Sequence, residues 1–199
     1  MHFGAARLGI GTVQFGLDYG VTNQTGKVSV NEAGTILQLG RQSGITVLDT
    51  AALYGDSEAT IGRAGGAGFD IVTKTPKVSA EPSADAAADT IVSRFDQSIG
   101  NLLVDRVYAL MVHDVGDLLG PYGDKVWRSL QDIRSSGRAG KIGASIYSGE
   151  DIDRLIERYD IDIVQVPING LDSRLVDGGQ LDALAARSTR APSSCRDCC

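Results

Sequence analysis

The feature that most constrains this chain is a repeated alternation of short β-branched runs with longer amphipathic segments. Apolar residues in the longer segments recur every three or four positions, which is the spacing of a helix with one buried face. Six such strand–helix pairs follow one another, joined by short connections. Alternation of this kind predicts parallel strands linked by helices.

The predicted elements can be placed along the chain. The predicted strands cover 9–16, 46–50, 69–74, 107–113, 141–146 and 161–168. The predicted helices cover 30–43, 57–62, 84–103, 124–136, 149–159 and 176–187. The fourth strand is almost wholly apolar, which is typical of a strand buried on both faces of a sheet.

Two α/β architectures fit this order: an open doubly wound sheet and a closed (β/α)₈ barrel of the TIM type. A flavodoxin-like open sheet would need a phosphate-binding loop that leads at once into a helix after the first strand, and no helix follows there directly. A complete barrel takes about 250 residues. The 199-residue chain therefore predicts an incomplete barrel with about six of its eight βα units.

Composition excludes several classes of function. The formal net charge of −6 argues against binding nucleic acid, which needs a basic face. No apolar run approaches the roughly 18 residues of a membrane span, and no signal peptide is apparent, so we expect a cytoplasmic protein that does not enter a membrane. The three cysteines, Cys195, Cys198 and Cys199, crowd the last five positions. Without a second ligand pair nearby, they predict neither a disulfide framework nor a metal site.

Four titratable residues follow predicted strands at the point where each strand ends. Asp49 ends the second strand and Tyr54 follows in its loop, while Lys74 ends the third strand and His113 the fourth. Barrel enzymes build their sites at the carboxyl ends of the strands. We therefore expect these four side chains at one mouth.

Their chemistry suits the reduction of a carbonyl. A lysine ammonium beside a tyrosine favours the phenolate, so Lys74 is expected to lower the pKa of Tyr54, with Asp49 holding the ammonium in place. Tyr54 would then donate a proton near neutral pH, and His113 would orient the carbonyl oxygen. A bound cofactor would supply the hydride.

Each residue alone also has an ordinary explanation. Asp49 could cap a helix, and Tyr54 could pack in its loop. Lys74 could lay its stem along the surface, and His113 could be a core histidine. The four together, in this order at strand ends, favour catalysis.

Several segments resemble the successive strand-end motifs of the aldo-keto reductase family over residues 8–187. They are GIGTVQFG, LDTAALYGDSE, IVTK, LMVHD, KIGASIYS and IVQVPIN. Asp49, Tyr54, Lys74 and His113 match the family's catalytic set residue by residue. The resemblance implies reduction of an aldehyde or ketone, a small-molecule carbonyl substrate, to an alcohol with NADPH as cofactor.

The same resemblance implies a set of cofactor contacts. Thr12 and Val13 lie where the family approaches the nicotinamide, and Asp49 belongs to the same end of the site. Ser145 and Gln165 match the pair that holds the carboxamide.

One neighbouring position departs from the family pattern. Many members carry Asn after the serine, and this chain has Ile146 there. Asn169 matches a polar residue common after the sixth strand. The alternative to an enzyme is a non-catalytic barrel that serves as a cofactor-sensing or interaction module.

The chain divides into a partial barrel domain at 1–187 and a tail at 188–199 that lacks any strand pattern. Codons can be assigned to the tail such that a one-base shift encodes a segment resembling the family's seventh strand. We therefore expect that a frameshift replaced the last third of the enzyme and that this chain alone is impaired. The alternative is a native tail.

Overall fold

The computed structural model describes residues 8–21, 23–168 and 178–179 of the 199-residue chain. Its strands are β1 (Gly9–Gly11), β2 (Val47–Asp49), β3 (Asp70–Lys74), β4 (Val107–Val112), β5 (Ala139–Ser145) and β6 (Ile163–Gln165). Its helices are α1 (Val30–Gln42), α2 (Ser57–Arg63), α3 (Ala84–Leu102), α4 (Gly116–Leu119), α5 (Gly123–Ser135) and α6 (Gly149–Arg158).

The six strands form one parallel sheet in which neighbours in sequence are neighbours in space, in the order β1-β2-β3-β4-β5-β6. A doubly wound sheet reverses its strand order partway, and this sheet does not. The sheet also curls. This is shown by Gln165 Nε2 on β6, which donates a hydrogen bond of 3.1 Å to Asp49 Oδ1 on the distant strand β2. The incomplete (β/α)₈ barrel is confirmed, and the flavodoxin-like alternative is wrong.

The helices begin at capping residues and pack through apolar stripes. Three of them start at a serine whose hydroxyl accepts a hydrogen bond from a backbone N–H three residues further on; these are Ser29, Ser83 and Ser148. On α5 the residues at one-turn spacing, Trp127, Leu130 and Ile133, are buried against the sheet. Burial of such stripes covers the outer face of the barrel.

Apolar residues fill both sides of the central strand. Leu110 and Val112 on β4 belong to the main core between sheet and helices. Ala109 and Met111 on the same strand pack with Val72 in a smaller cluster on the other face. The expectation that this strand is buried on both faces is therefore confirmed.

Some predicted bounds are wrong. The first strand ends at Gly11, and Val13–Phe15 forms a 3₁₀ helix that buries Phe15. The chain turns there because it packs across the loop after β2 instead of continuing along the sheet. Helix α4 was not predicted, and β6 ends at Gln165, short of its predicted end. The predicted helix at 176–187 lies outside the described residues except for 178–179.

Two backbone loops touch at a place where neither has room for a side chain. A Cβ atom built on Gly16 would lie 1.8 Å from the carbonyl oxygen of Tyr54. Gly55 has a φ of +58°, and its Cβ would lie 2.4 Å from the Gly16 carbonyl oxygen. Glycine at both positions therefore lets the loops meet, and their contact fixes where the Tyr54 side chain leaves the backbone.

Substitution of Gly16 tests this contact. We expect Gly16→Ala to lower the free energy of unfolding by about 1–3 kcal/mol, because the added methyl group overpacks the contact. The matched control is Gly100→Ala in α3, where a Cβ meets no atom within 4 Å. That change should leave stability unchanged or raise it by up to about 1 kcal/mol. Urea denaturation measures both, and equal effects would contradict the packing argument.

Candidate active site

A cleft of about 240 Å³ opens at the carboxyl ends of the strands. Its lining consists of Asp49, Tyr54, Lys74, His113, Ser145, Tyr147, Gln165, Val166 and Pro167. The four residues expected at one mouth therefore lie together. Strand ends β2, β3 and β4 bring them there, with the loop after β2 supplying Tyr54.

A buried ion pair forms the floor of the cleft. The Lys74 side chain is only 2% exposed, and its Nζ lies 2.6 Å from Asp49 Oδ1. The ammonium also donates to the carbonyl oxygen of Thr50 at 2.9 Å. Burial lowers the pKa of Lys74 from its ordinary 10.5, and the Asp49 carboxylate opposes that shift. Two fixed acceptors thus hold the ammonium in one place.

Tyr54 lies over this ion pair. The Lys74 Nζ is 5.1 Å from the centre of the tyrosine ring, and the His113 ring meets it edge-on at 5.7 Å between centroids. Burial raises the pKa of Tyr54 above its ordinary 10.0, and the negative charge of Asp49 raises it further. The phenol therefore keeps its proton throughout neutral pH.

This direction corrects the expectation that Lys74 lowers the pKa of Tyr54. The charge of the ammonium is compensated by Asp49 at 2.6 Å, so little of it remains to stabilise a phenolate. Loss of water around the phenol then dominates. A protonated phenol is still a suitable acid, because it is the form that can donate.

His113 faces the same cleft as a neutral ring. Burial lowers its pKa below 6.5, and the positive charge of Lys74 lowers it further. Its Nδ1 is buried and meets no hydrogen-bond partner among the described residues. A neutral imidazole carries one N–H donor and one acceptor, so it can donate to a carbonyl oxygen in the cleft.

A layer of hydroxyl groups supports Asp49 from below. Thr12 Oγ1 donates to the Asp49 carbonyl oxygen at 2.8 Å. Ser57 Oγ lies 2.8 Å from the Thr12 carbonyl oxygen and 3.1 Å from Thr50 Oγ1. All three hydroxyl residues are fully buried. The sequence analysis missed Thr50 and Ser57, although small polar residues flanking the candidate catalytic positions were a visible signal.

Two of the residues expected to contact a cofactor do not line the cleft. Thr12 lies beneath Asp49 with its hydroxyl already bonded, and Val13 starts the 3₁₀ helix. The structure thus places Thr12 where it positions the aspartate backbone.

The other expected pair does line the cleft. Ser145 is 5% exposed, and it lines the cleft. Gln165 donates its amide to Asp49. Ile146 is fully buried in the main core, and its backbone N–H donates to the Gln165 carbonyl oxygen at 2.8 Å. The side chain at 146 therefore points away from the cleft, and Asn169 lies outside the described residues.

Tyr147 is a cleft residue that the sequence analysis missed. Its side chain is 65% exposed and lines the opening next to Tyr54. Its place just after Ser145, at the end of a strand, was the available signal.

In the described ranges, no three His, Cys, Asp or Glu side chains cluster as a metal site would require. None of the helices found there has the length and apolar character needed to cross a membrane.

Comparisons with known proteins agree with this geometry. A family model for the aldo/keto reductase family matches residues 7–186. An aldo-keto reductase of Mycolicibacterium smegmatis is 29% identical over 134 residues, which is 66% of this chain and 46% of that protein. The chain therefore spans about half the length of this curated relative.

Solved structures show the same fold. An aldo-keto reductase from Pseudomonas aeruginosa superposes with a TM-score of 0.72 at 28% identity, covering 90% of this chain and 69% of that one. One from Bombyx mori, in complex with NADP, superposes with a TM-score of 0.66 at 19% identity, covering 89% and 59%. With a family model matching most of its length and a fold that agrees, the chain belongs to the aldo/keto reductase family.

Proposed function

We propose that this protein reduces an aldehyde or ketone to an alcohol with NADPH. The observation that carries the proposal is the convergence of a protonated phenol, a buried lysine–aspartate pair and a neutral histidine on one cleft. Each group has a separate task in adding a hydride and a proton to a carbonyl. Membership of the aldo/keto reductase family supports the same reaction class.

The cleft residues fit a nicotinamide cofactor. Ser145 offers a hydroxyl in the cleft, and Gln165 offers an amide on the neighbouring strand. A carboxamide has one acceptor and two donors, which a hydroxyl and an amide can satisfy. The cofactor, when bound, supplies the hydride. The Bombyx mori relative in complex with NADP supports the choice of NADPH.

Residues of the chain orient the carbonyl oxygen and supply its proton. His113 donates a hydrogen bond to the carbonyl oxygen and so polarises and positions it. Tyr54 gives its hydroxyl proton to the same oxygen as that oxygen gains charge. The phenolate left on Tyr54 lies over the Lys74–Asp49 pair, with the Lys74 Nζ 5.1 Å from the ring centre. Asp49 keeps that ammonium charged and in place.

The proposal also covers the activity of this chain by itself, which we infer is weak. In the described sheet, β1 and β6 each have one neighbouring strand. Edge strands expose unpaired backbone groups and the apolar residues beside them.

The rival function, a cofactor-sensing or interaction module, predicts NADPH affinity without turnover.

Substitution of Tyr54 tests the enzymatic function. We expect Tyr54→Phe to lower kcat for aldehyde reduction by about 10²- to 10⁴-fold, because the proton donor is lost. The affinity for NADPH should not change. The loss of NADPH absorbance gives the rate, and Tyr108→Phe on β4, outside the cleft, is the matched control. The assay uses two proteins. One is this chain, and the other is the product expected if the gene is read in the frame shifted by one base after residue 187. NADPH binding without turnover in both would favour the rival.

The pH dependence follows from the raised pKa of Tyr54. The active form is the protonated phenol, so a higher pKa moves the loss of activity to higher pH. We expect Tyr54 to titrate above the ordinary value of 10.0, and the rate of reduction to stay level from neutral pH up to that point. Carbon-13 NMR of ring-labelled tyrosine measures the pKa without turnover, and Tyr54→Phe identifies the signal. A titration below that value would mean that Lys74 dominates after all.

A further inference from the structure

We propose that Glu58 is a positioning residue for the reaction, because it fixes the start of α2, and with it the Tyr54 loop, against the strand that carries Lys74. This inference rests on the proposed function, since it concerns the spacing of two groups of the same site. Glu58 lies in the first turn of α2 and is only 4% exposed. It is not among the residues that line the cleft.

The Glu58 carboxyl group joins three elements behind the sheet. Burial of a carboxyl group costs free energy unless hydrogen bonds replace its contacts with water. Thr73 Oγ1 on β3 donates to Glu58 Oε1 at 2.6 Å. The side chains of Ser98 and Asn101 on α3 also hydrogen-bond to this carboxyl group. Glu58 therefore holds α2 to β3 and to α3 at one buried point.

The hydrogen bond from Thr73 acts next to the ammonium of the site. Thr73 and Lys74 are consecutive on β3, and consecutive side chains of a strand point to opposite faces of the sheet. Thr73 is fully buried against Glu58, whereas Lys74 lines the cleft. A shift of β3 relative to α2 would therefore move Lys74 relative to everything that α2 holds.

The start of α2 in turn holds the loop that carries the proton donor. The Ser57 backbone N–H donates to the Tyr54 carbonyl oxygen at 3.0 Å. Ser57 and Glu58 are consecutive, so one helical turn reaches the Tyr54 backbone on one side and Thr73 on the other. The Lys74 Nζ lies 5.1 Å from the centre of the Tyr54 ring. This spacing is thus set from behind the sheet as well as within the cleft.

The far end of α2 is fixed separately. A Cβ atom built on Gly62 would lie 2.2 Å from the carbonyl oxygen of Asn101, so the backbones of α2 and α3 touch there. The helix has only seven residues, and contacts at both ends set its direction. With the Glu58 contact removed, the Gly62 contact would remain as a pivot. The start of α2 would then move away from β3 and let water reach Tyr54.

The pKa of Tyr54 in the full chain, measured by carbon-13 NMR of ring-labelled tyrosine, tests the positioning role without turnover. We expect Thr73→Val and Glu58→Ala each to lower this pKa from its raised value toward 10.0, because the phenol gains water. Glu58→Gln keeps an oxygen that accepts from Thr73, so it should retain the raised pKa. Thr73→Val removes one hydroxyl group and decides the test if Glu58→Ala fails to fold.

The matched control cuts the other side of the same carboxyl group. Ser98→Ala removes a hydrogen bond from α3 and leaves the Thr73 contact in place. We expect it to lower the urea midpoint of unfolding without moving the Tyr54 pKa. The double variant of Glu58→Ala and Thr73→Val should match Glu58→Ala alone, because both substitutions break one contact.

The outcomes separate this proposal from the reductase function. An unchanged Tyr54 pKa in Thr73→Val, or an equal change in Ser98→Ala, would overturn the positioning role. In whichever of the two assayed proteins turns over, we expect Thr73→Val to lower kcat about 10- to 100-fold with NADPH affinity unchanged. The expected pKa pattern without turnover in either protein would support the positioning of Tyr54 and count against the reductase function.

Discussion

The buried ion pair between Lys74 and Asp49 is the interaction on which the site depends. An ammonium that is 2% exposed is tolerable only with a carboxylate and a carbonyl oxygen within hydrogen-bond reach. The pair joins β2 to β3 at the floor of the cleft. Gln165 on β6 donates a hydrogen bond to the same carboxylate oxygen. Contacts to one oxygen of Asp49 on β2 therefore connect three strands, β2, β3 and β6. The charged pair on the floor of the cleft thus also holds the mouth of the barrel together.

The surrounding structure serves to keep that pair and its tyrosine in register. Hydroxyl groups at Thr12 and Ser57 support the backbone of Asp49 from beneath. The glycine contact at Gly16 and Gly55 sets the path of the loop that carries Tyr54. These are short-range constraints with little freedom. They explain how a tyrosine on a loop can be held as firmly as a residue on a strand.

Much of the fold and the site could be predicted from sequence. The strand–helix alternation identified all six described strands, and apolar periodicity located five of the six described helices, because both depend on local spacing. The four catalytic candidates were placed at one rim because parallel strands end on the same edge of a barrel. The four-residue helix α4 was missed because so short a segment has no period to detect.

The sequence by itself determined the barrel class, the family and the meeting of Asp49, Tyr54, Lys74 and His113. The barrel class and the meeting of the four residues follow from residue order and the periodicity of strands and helices, and the family follows from the resemblance of the strand-end motifs. Only the tertiary structure decided the direction of the Tyr54 pKa shift, the placing of Thr12 below the cleft and the burial of Ile146. Each of these depends on distances and burial between residues remote in sequence. Electrostatic shifts and side-chain orientation are set by such contacts, and spacing along the chain does not encode them.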